Sequence, residues 1–484
     1  MQLALTEAAR HGVQGIIRYQ AVQEFSIIIN NGKVERIVNE ESEGLGIQVF
    51  TFAGYCGFAS GDCLTEASVK TMAAKAAKLA NLNEGFGGEQ NKALFQAPQL
   101  TVSVPSPRKY PFDHFTMQEL VPLINNENQY IMQAFPGLSV QTVYRQLEEK
   151  WRIARSGGSE AVFSMPRAVI VQTLTAREEG RSVTTRSALG GTDAGLLIDT
   201  ARVEEGRART RAMAELAKNL LTAPKVKSGH YKLLIDYALA KGLAHEAFGH
   251  AVESDGVRTS ILGEKGKLAI GKTVAHPKVS IVDGPIPGDW AYQPVSANGI
   301  PRDTVRIVDK GKLVAGLGDL FSAEGAGIAI SGAGRAESYA HIPLPRMTNI
   351  RIEVEDPITL EKPWYQVTPA ELYSLLLEQG LVDPGEEIYY LAGYKGGQVN
   401  TQHGDFVFNC SAIYKLGAEP VLYQPGIFAG KTLSALKSIQ AGIGPMLTDA
   451  QGTCGKWGQG VPSSGGSHAF LLLNSDPEIT IGGE

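Results

Sequence analysis

Two histidines five positions apart, with a glutamate directly after the first, are the sequence feature that most restricts how this chain can fold. His245, Glu246 and His250 lie in an apolar, alanine-rich stretch. Neutral imidazoles bind zinc, and a carboxylate beside them can accept a proton from water. In a regular α-helix, side chains five positions apart differ by about 140° and point to different faces. A shared metal site therefore requires a distorted helix.

Two distortions would bring the imidazoles together. One is a π-type bulge, and the other is a loosened last turn that leaves His250 past the regular helix. Gly249 is the residue best able to accept such a change of backbone conformation. We therefore predict a break between Phe248 and Ala251. The alternative interpretation is two unrelated histidines on a buried helix, one of them an ordinary core residue.

The residues around the motif favour a metal. Residues 231–235 predict a short buried strand, and Asp236 can cap the helix that follows it. That helix is apolar nearly all round, which is typical of a buried helix. Its apolar positions are Ala238, Leu239, Leu243, Ala244, Ala247, Phe248 and Ala251. Histidines and a glutamate inside such a helix need polar partners, and a metal ion supplies them.

The third ligand must come from another part of the chain, and the residues alone leave it open. Cys454 lies among glycines and next to Lys456, whose charge favours a thiolate. Glu253 is within reach if the helix continues, although a charge at a helix end is its more ordinary role. The remaining candidates are His276, His341, His403 and His468.

The chain resembles the TldD/PmbA family of metalloproteases, and within it the TldD-type subunit, which carries the metal. The matching segments are the histidine motif at 245–250 with Glu253 and Asp255, PRMTN at 345–349, CGKWGQGVP at 454–462 and TIGG at 480–483. The chain departs from the family pattern at Ser467 and His468, where a proline is expected.

This resemblance implies a zinc site formed by His245, His250 and Cys454, with Glu246 as the general base. It also implies a fold in which an N-terminal domain and a β-rich C-terminal domain form dimers that enclose the active site. The partner would be a second copy or a PmbA/TldE-like subunit without the metal motif. The implied substrates are unfolded or modified peptides.

Length and pattern predict an α+β fold in two domains. Residues 1–224 are predicted to form an N-terminal α+β domain, and residues 225–484 a β-rich catalytic domain that carries the metal-binding helix. The predicted N-terminal strands are 16–19, 25–29, 34–38 and 46–52, with a turn at Asn31 and Gly32, and further strands within 138–189. The predicted helices are 65–80, 116–125, 203–221, 369–379 and 431–440.

Composition excludes several classes of protein. A net charge of -5 argues against nucleic acid as a partner, because binding phosphate requires a basic face. No apolar run approaches the ~18 residues of a membrane span, and the start of the chain has no signal-peptide core. We therefore expect a soluble, cytoplasmic protein without membrane contact. Four scattered cysteines predict free thiols, with Cys56 and Cys63 as two ordinary buried thiols rather than a disulfide.

Two further segments concern the substrate. The glycine-rich residues 331–341 predict a flexible loop rather than a phosphate cradle. Residues 347–355 could offer a strand edge to an extended peptide, with Arg346 or Asn349 contacting the peptide or supporting the metal ligands. The alternative is an ordinary strand start held by polar side chains.

The mechanism predicted from these features is zinc-dependent peptide hydrolysis. The alternative function is a non-catalytic peptide-binding or modulator subunit, in which four protein ligands would close a structural metal site. A third hypothesis is a metal hydrolase that acts on a non-peptide amide. Glu246 favours catalysis, because a closed structural site needs no base.

Overall fold

A computed structural model describes residues 1–482, and Gly483 of the closing motif lies outside them. A seven-stranded sheet occupies the N-terminal part, in the order β3-β2-β1-β5-β6, with β4 and β7 both paired to the far side of β6. Its strands are β1 (Val13–Asn30), β2 (Lys33–Thr51), β3 (Cys56–Gly61), β4 (Thr101–Val104), β5 (Ser139–Arg155), β6 (Ser159–Glu178) and β7 (Arg181–Gly191). All its pairs are antiparallel except β4 with β6.

The helices of this part pack against the sheet. They are α1 (Gln2–Arg10), α2 (Glu66–Gly85), α3 (Ala93–Gln96), α4 (Met117–Ala134), α5 (Gly195–Ile198) and α6 (Thr200–Asn219), with a 3-10 turn at Phe112–His114. Thr65 caps α2 through its side chain, and the alanines of α2 pack with Ile47 and Val49 of β2. Strands with helices on their faces make this part an α+β layer structure.

The C-terminal part contains a thirteen-stranded sheet within the described residues. The order is β13-β12-β11-β16-β23-β8-β17-β18-β20-β24, with β19 paired to β18 and both β21 and β22 to β23. Two short hairpins, β9 with β10 and β14 with β15, lie outside it. The bounds are β8 (Lys232–Asp236), β9 (Gly263–Glu264), β10 (Lys267–Leu268), β11 (Val279–Gly284), β12 (Val305–Asp309), β13 (Lys312–Leu313), β14 (Gly334–Arg335), β15 (Leu344–Pro345), β16 (Asn349–Val354), β17 (Ile388–Asn400), β18 (Asp405–Lys415), β19 (Val421–Tyr423), β20 (Ile427–Lys431), β21 (Ile439–Leu447), β22 (Gly452–Lys456), β23 (Gln459–Leu473) and β24 (Ile479–Gly482).

The helical segments of the C-terminal part are short. They are α7 (Tyr237–Gly242), a π-helical turn (Leu243–Phe248), α8 (Ala323–Ala326), α9 (Pro369–Glu378), α10 (Thr432–Ser438) and 3-10 turns at Gly249–Val252, Val257–Thr259 and Trp364–Gln366. The predicted α+β class is confirmed. No helix within residues 1–482 is both long enough and apolar enough to cross a membrane.

Strand β23 positions the functional residues. Its first residues form a hairpin with β22, its middle pairs with β16, and its last residues pair with β8, which leads directly into α7. The helix after β8 and the β22–β23 hairpin therefore meet on one side of the sheet. This helix lies in the main hydrophobic core of the C-terminal part, as predicted.

The main error in the predicted strands is their length. The segments predicted at 16–19 and 25–29 are one strand, β1, and those at 34–38 and 46–52 are one strand, β2. No strand was predicted across residues 20–24, three of which are polar, but their backbone pairs with β2 on one side and β5 on the other. Residues 33–43 are mostly exposed, so the strand continues without an apolar pattern. The turn at Asn31 and Gly32 is confirmed, with φ of 45° and 78°.

Helices were predicted better than loops. Helices α2 and α4 are longer than predicted, α6 is shifted toward the N-terminus, α10 is shorter, and α9 begins at the predicted position. Residues 81–115, for which no strand or helix was predicted, contain the last turn of α2, all of α3 and β4. The four cysteines are free, as expected, but Cys63 is exposed and Cys56 only partly buried, so the predicted burial of these two thiols was wrong. The two-domain division at residue 224 stays a prediction, and it falls between the strands of the two sheets.

Candidate metal centre

The helix that carries the histidine motif changes its winding twice. Asp236 caps its start by accepting a hydrogen bond from the Leu239 amide at 2.9 Å, as predicted. Burial raises the pKa of this capping carboxyl to about 6. Regular α-helix ends at Gly242, a π-turn follows through Phe248, and a 3-10 turn completes the segment. The predicted distortion is therefore present, in the π form.

Gly249 does not absorb this distortion, contrary to our expectation. Its φ of -60° and ψ of -43° are ordinary helical values, whereas Phe248 is displaced to φ -119°. Glycine is needed at 249 for a different reason. A Cβ there would lie 2.0 Å from the sulfur of Met347 and 3.0 Å from the carbonyl oxygen of Ala244. Close packing against the sheet, and not backbone freedom, explains this glycine.

The π-turn brings His245 and His250 together with Cys454. The two imidazole centroids are 5.2 Å apart and nearly perpendicular. Nε2 of His250 lies 3.7 Å from Sγ of Cys454, and the three ligand atoms all lie within 4.8 Å of one another. Ligands bound tetrahedrally to zinc through nitrogen and sulfur are about 3.5 Å apart. One pair of atoms thus has nearly this separation, and all three residues are close enough to reach a single ion.

The environment of His245 is an independent test of whether a metal ion fits this site. Its side chain is completely buried, and neither ring nitrogen has a hydrogen-bond partner within residues 1–482. Burial, together with the charge of Lys241, holds the pKa of this imidazole well below its ordinary value. A buried neutral imidazole with two unsatisfied nitrogens costs free energy unless something binds it. A metal ion satisfies that requirement.

The second ring nitrogen of His250 is held by a carboxylate. Its Nδ1 lies 3.0 Å from Oε2 of Glu253, which leaves Nε2 facing Cys454. Lys456 binds the same Glu253 oxygen at 2.7 Å and Asp255 at 2.6 Å. Burial alone would lower the pKa of His250, but Glu253 and Cys454 outweigh it and the pKa lies above its ordinary value. Glu253 thus fixes the ring orientation, a role that the sequence analysis did not assign to it.

Glu246 lies beside the ligands without belonging to their group. Its Oε2 is 3.7 Å from Nε2 of His250, on the side of the ring that faces the metal position. Its side chain remains 22% exposed, whereas His245 and Cys454 are almost fully buried. The carboxylate can therefore contact both solvent and the ligand cluster.

Arg346 and Asn349, our candidates for contact with the peptide, are both completely buried. Arg346 donates from Nε to the Cys454 sulfur at 3.3 Å and from Nη2 to the Cys454 carbonyl. Asn349 donates to the Thr448 carbonyl and to Ser464. The structure therefore favours support of a candidate metal ligand for Arg346, whereas the hydrogen bonds of Asn349 hold the start of β16 and reach none of the three candidate ligands. Their contact with substrate stays a prediction.

The strand edge proposed for the peptide is not free. Strand β16 pairs along its length with β11, and its first residues, 349–352, also pair with β23. Its backbone groups at the site are satisfied inside the sheet, so the prediction of an open edge at residues 347–355 was wrong. Sequence pattern shows that a strand forms but not which strands lie beside it.

The glycine-rich segment 331–341 is packed rather than open. Arg335 is buried and donates to the carbonyls of Met347 and Pro462, and β14 pairs with β15. Tyr339 reaches the N-terminal sheet, where its amide donates to Gln20 at 3.0 Å. The segment predicted as a flexible loop therefore connects the β22–β23 hairpin with the N-terminal sheet.

Lys241 is a buried charge near the site that sequence analysis missed. It lies one turn before His245, and its Nζ donates to Ser463 at 3.3 Å. Burial lowers the pKa of this ammonium, while the nearby Glu246 and Cys454 oppose that shift. The only sequence signal for this residue was a lysine in an otherwise apolar helix. Buried lysines are rare without a partner, so such a lysine indicates a nearby polar or charged group.

The other candidate ligands lie elsewhere. His276 accepts from the Lys278 amide, His341 contacts Ser338, and both ring nitrogens of His468 lie near backbone carbonyls. The structure describes one group of three or more potential metal ligands within residues 1–482, which is His245, His250 and Cys454.

Replacing Glu253 by glutamine is expected to weaken zinc binding about 10- to 100-fold, because the buried partner of a metal-bound imidazole is lost. Competition with a chromophoric chelator measures the affinity. Glu355→Gln is the matched control, since Glu355 is ion-paired to Lys310 at 2.8 Å but is half-exposed. Equal affinity in the Glu253→Gln and Glu355→Gln variants would contradict the assigned role.

A π-distorted helix that presents two histidines and a glutamate to a buried cysteine defines the class of candidate metal-dependent hydrolases. The sequence agrees with this class. Residues 228–454 match the profile of the PmbA/TldA metallopeptidase C-terminal domain, and residues 16–80 match PmbA/TldA metallopeptidase domain 1. The chain belongs to the TldD/PmbA family of metalloproteases.

Individual relatives cover most or all of the chain. A metalloprotease of Methanothermobacter thermautotrophicus is 26% identical over 464 residues, 94% of this chain and 93% of its own. A protein of Saccharolobus solfataricus named zinc metalloprotease TldD homolog is 26% identical over 311 residues, 61% of each chain. The crystal structure of TldE from Thermococcus kodakarensis superposes with a TM-score of 0.76 over both full chains at 14% identity, which shows a common fold.

Proposed function

We propose that this protein is a zinc-dependent peptidase that hydrolyses unfolded or modified peptides in a cavity enclosed by a dimer. The observation that supports the chemistry is the convergence of His245, His250 and Cys454, with Glu246 at the edge of the cluster. Two imidazoles and a thiolate favour zinc over harder ions. The name of the S. solfataricus relative agrees with that choice of metal.

In this proposal zinc, when bound, lowers the pKa of a coordinated water and polarises the scissile carbonyl. The residues of the chain supply the rest. Glu246 accepts a proton from the attacking water and passes it to the leaving amine. Glu253 holds the His250 ring through Nδ1, and Arg346 holds the sulfur and the carbonyl of Cys454.

The ligand set favours catalysis over a structural metal. Structural zinc sites are usually closed by four protein ligands, whereas the group found within residues 1–482 has three. A nearby carboxylate that remains partly exposed fits a base that must meet a water molecule. A modulator subunit with a structural metal would need neither feature.

Removing the metal tests the proposal directly. The purified protein should cleave unstructured peptides, lose that activity on treatment with a zinc chelator, and regain it when Zn²⁺ is added back. A rate unaffected by complete removal of zinc would refute the proposal. Hydrolysis of small amides without hydrolysis of peptides would instead assign a non-peptide substrate.

Oligomeric state is tested on the same preparation. We propose a homodimer or a heterodimer with a PmbA/TldE-like chain, acting in the cytoplasm. Light scattering of the isolated protein should give the mass of two chains if the partner is a second copy. A protein that stays monomeric and inactive alone would require the second kind of partner.

A further inference from the structure

A cleft lies between the two domains, separate from the ligand cluster. Its volume is about 570 Å³, within the range of small-molecule sites. The first domain contributes residues of β2, β3 and the α2–α3 region, including Phe50. The second domain contributes the segments around Asp255, Asp319 and Pro345. The cleft is therefore formed only when the two parts of the chain pack together.

The cleft adjoins the candidate metal centre through shared residues. Asp255 lines the cleft and binds Lys456 at 2.6 Å, and Lys456 also binds Glu253, the partner of His250. The carbonyl of Pro345, another lining residue, lies 3.4 Å from the same ammonium. A peptide whose scissile bond lay at the metal could therefore extend into this cleft.

Asp319 is the unusual residue of the cleft wall. It is 2% exposed, and its Oδ1 accepts hydrogen bonds from the Ser322 amide at 2.9 Å and from the Ser322 hydroxyl. None of the side-chain hydrogen bonds found within residues 1–482 involves its Oδ2, although the backbone amide of Phe321 also lies against the carboxylate. No lysine, arginine or histidine nitrogen within residues 1–482 lies within 4.0 Å of this carboxylate. One oxygen of a buried acid is thus available to a ligand.

The other charges around the cleft do not neutralise Asp319. Asp255 is ion-paired with Lys456, while Glu89 and Arg258 are exposed lining residues that form no ion pair within 4.0 Å among the described residues. A second metal ion is not favoured, because Asp319 belongs to no group of three potential ligands among the described residues. The free oxygen therefore fits an organic cation.

Apolar surface lies beside this acid. The rings of Phe50 and Phe321 stack with centroids 5.1 Å apart, and both residues line the cleft. An alkyl chain can pack against such rings while its ammonium group binds a carboxylate. The combination distinguishes an alkylammonium ligand from an inorganic cation.

We propose that this cleft binds an alkylammonium group of the peptide substrate, with Asp319 as its counter-ion and Phe50 and Phe321 against its methylene stem. The group is a lysine side chain or a free N-terminus at a fixed distance from the scissile bond. The proposal rests on the peptidase function and adds a preference for charge that the metal centre alone does not provide.

The test uses unstructured serine–alanine heptapeptides that carry a single lysine at successive positions, compared with norleucine at the same positions. Each peptide is prepared with a free and an acetylated N-terminus, which separates the two sources of the ammonium. We expect one position to favour the cation. In Asp319→Asn, kcat/KM for that peptide should fall about 10- to 100-fold, the value of a hydrogen bond to a charged group, while the neutral peptide changes little.

Two further variants keep the result interpretable. Asp303→Asn, an exposed residue of the same domain, is the matched control and should retain the preference. Gly325 lines the cleft, and a Cβ there would meet no atom within 4 Å, so Gly325→Phe should fill the cleft without disturbing the fold. It should raise KM for the lysine peptide and leave kcat unchanged. Gly325→Phe decides the question if Asp319→Asn does not fold.

Calorimetric binding of the same peptides separates this proposal from the peptidase function. Preferential binding of the cationic peptide, lost in Asp319→Asn, would support the cleft even if no peptide were cleaved, in which case the peptidase function would fail alone. The proposal about the cleft would be overturned if Asp319→Asn lowered the affinity for the lysine and norleucine peptides equally. It would also be overturned if the wild type bound both peptides with the same affinity.

Discussion

Glu246→Gln is expected to lower kcat for peptide hydrolysis about 10²- to 10⁴-fold, the usual contribution of a general base. The substitution keeps the size of the side chain and removes its ability to accept a proton. KM should change little, because the role proposed for Glu246 is proton transfer and not binding of the peptide. Peptide cleavage followed by chromatography gives both constants.

Zinc content distinguishes loss of the base from loss of the metal. Glu246 lies near the ligand atoms but outside their group, so Glu246→Gln should retain zinc. Glu246→Asp, which keeps the carboxylate on a shorter stem, should recover part of the activity. Full activity in Glu246→Gln, with zinc bound, would remove this residue from the mechanism.

Cys454→Ser is expected to weaken zinc binding by more than the ~10- to 100-fold that the partner of a ligand contributes, because a ligand itself is lost. Peptide hydrolysis should fall to the level of the uncatalysed reaction. The hairpin should remain folded, since Arg346 also holds the carbonyls of Cys454 and Gln459. Cobalt substitution supplies a second measurement, because a thiolate ligand gives a charge-transfer band that a hydroxyl does not.

The control for a lost thiol is Cys63→Ser. Cys63 is an exposed, free cysteine at the start of α2, and its loss should leave zinc content and the cobalt spectrum unchanged. The assignment of the third ligand would be wrong if Cys454→Ser bound cobalt with the same spectrum as the wild type.

Residues close in sequence were the ones that could be predicted. The spacing of His245 and His250 required a distorted helix, and the capping of that helix depended on Asp236 alone. Both expectations concern backbone hydrogen bonds over a few residues, where spacing and side-chain chemistry suffice. Even here the reason for Gly249 was misassigned, because its close neighbour, Met347, is distant in sequence.

Interactions between segments that are distant in sequence could not be predicted from the sequence. Strand β16 has strand-like residues, but only the sheet topology shows that both its edges are occupied. Arg346 looked like a surface group able to bind a peptide, and it lies buried against Cys454. Long charged side chains are ordinarily exposed, so a buried arginine is recognised only from its partners.

The sequence by itself predicted a metal centre, since two imidazoles and a carboxylate lie on a helix that must be distorted for the two rings to meet. Resemblance to a family singled out the cysteine. The tertiary structure decided which atoms meet: Nε2 of His250 faces a sulfur 204 residues away, and Nδ1 is held by Glu253 and, through it, by Lys456. Helix winding is a local property of the backbone, whereas these contacts depend on β23 pairing with both β8 and β22, and no local pattern specifies that pairing.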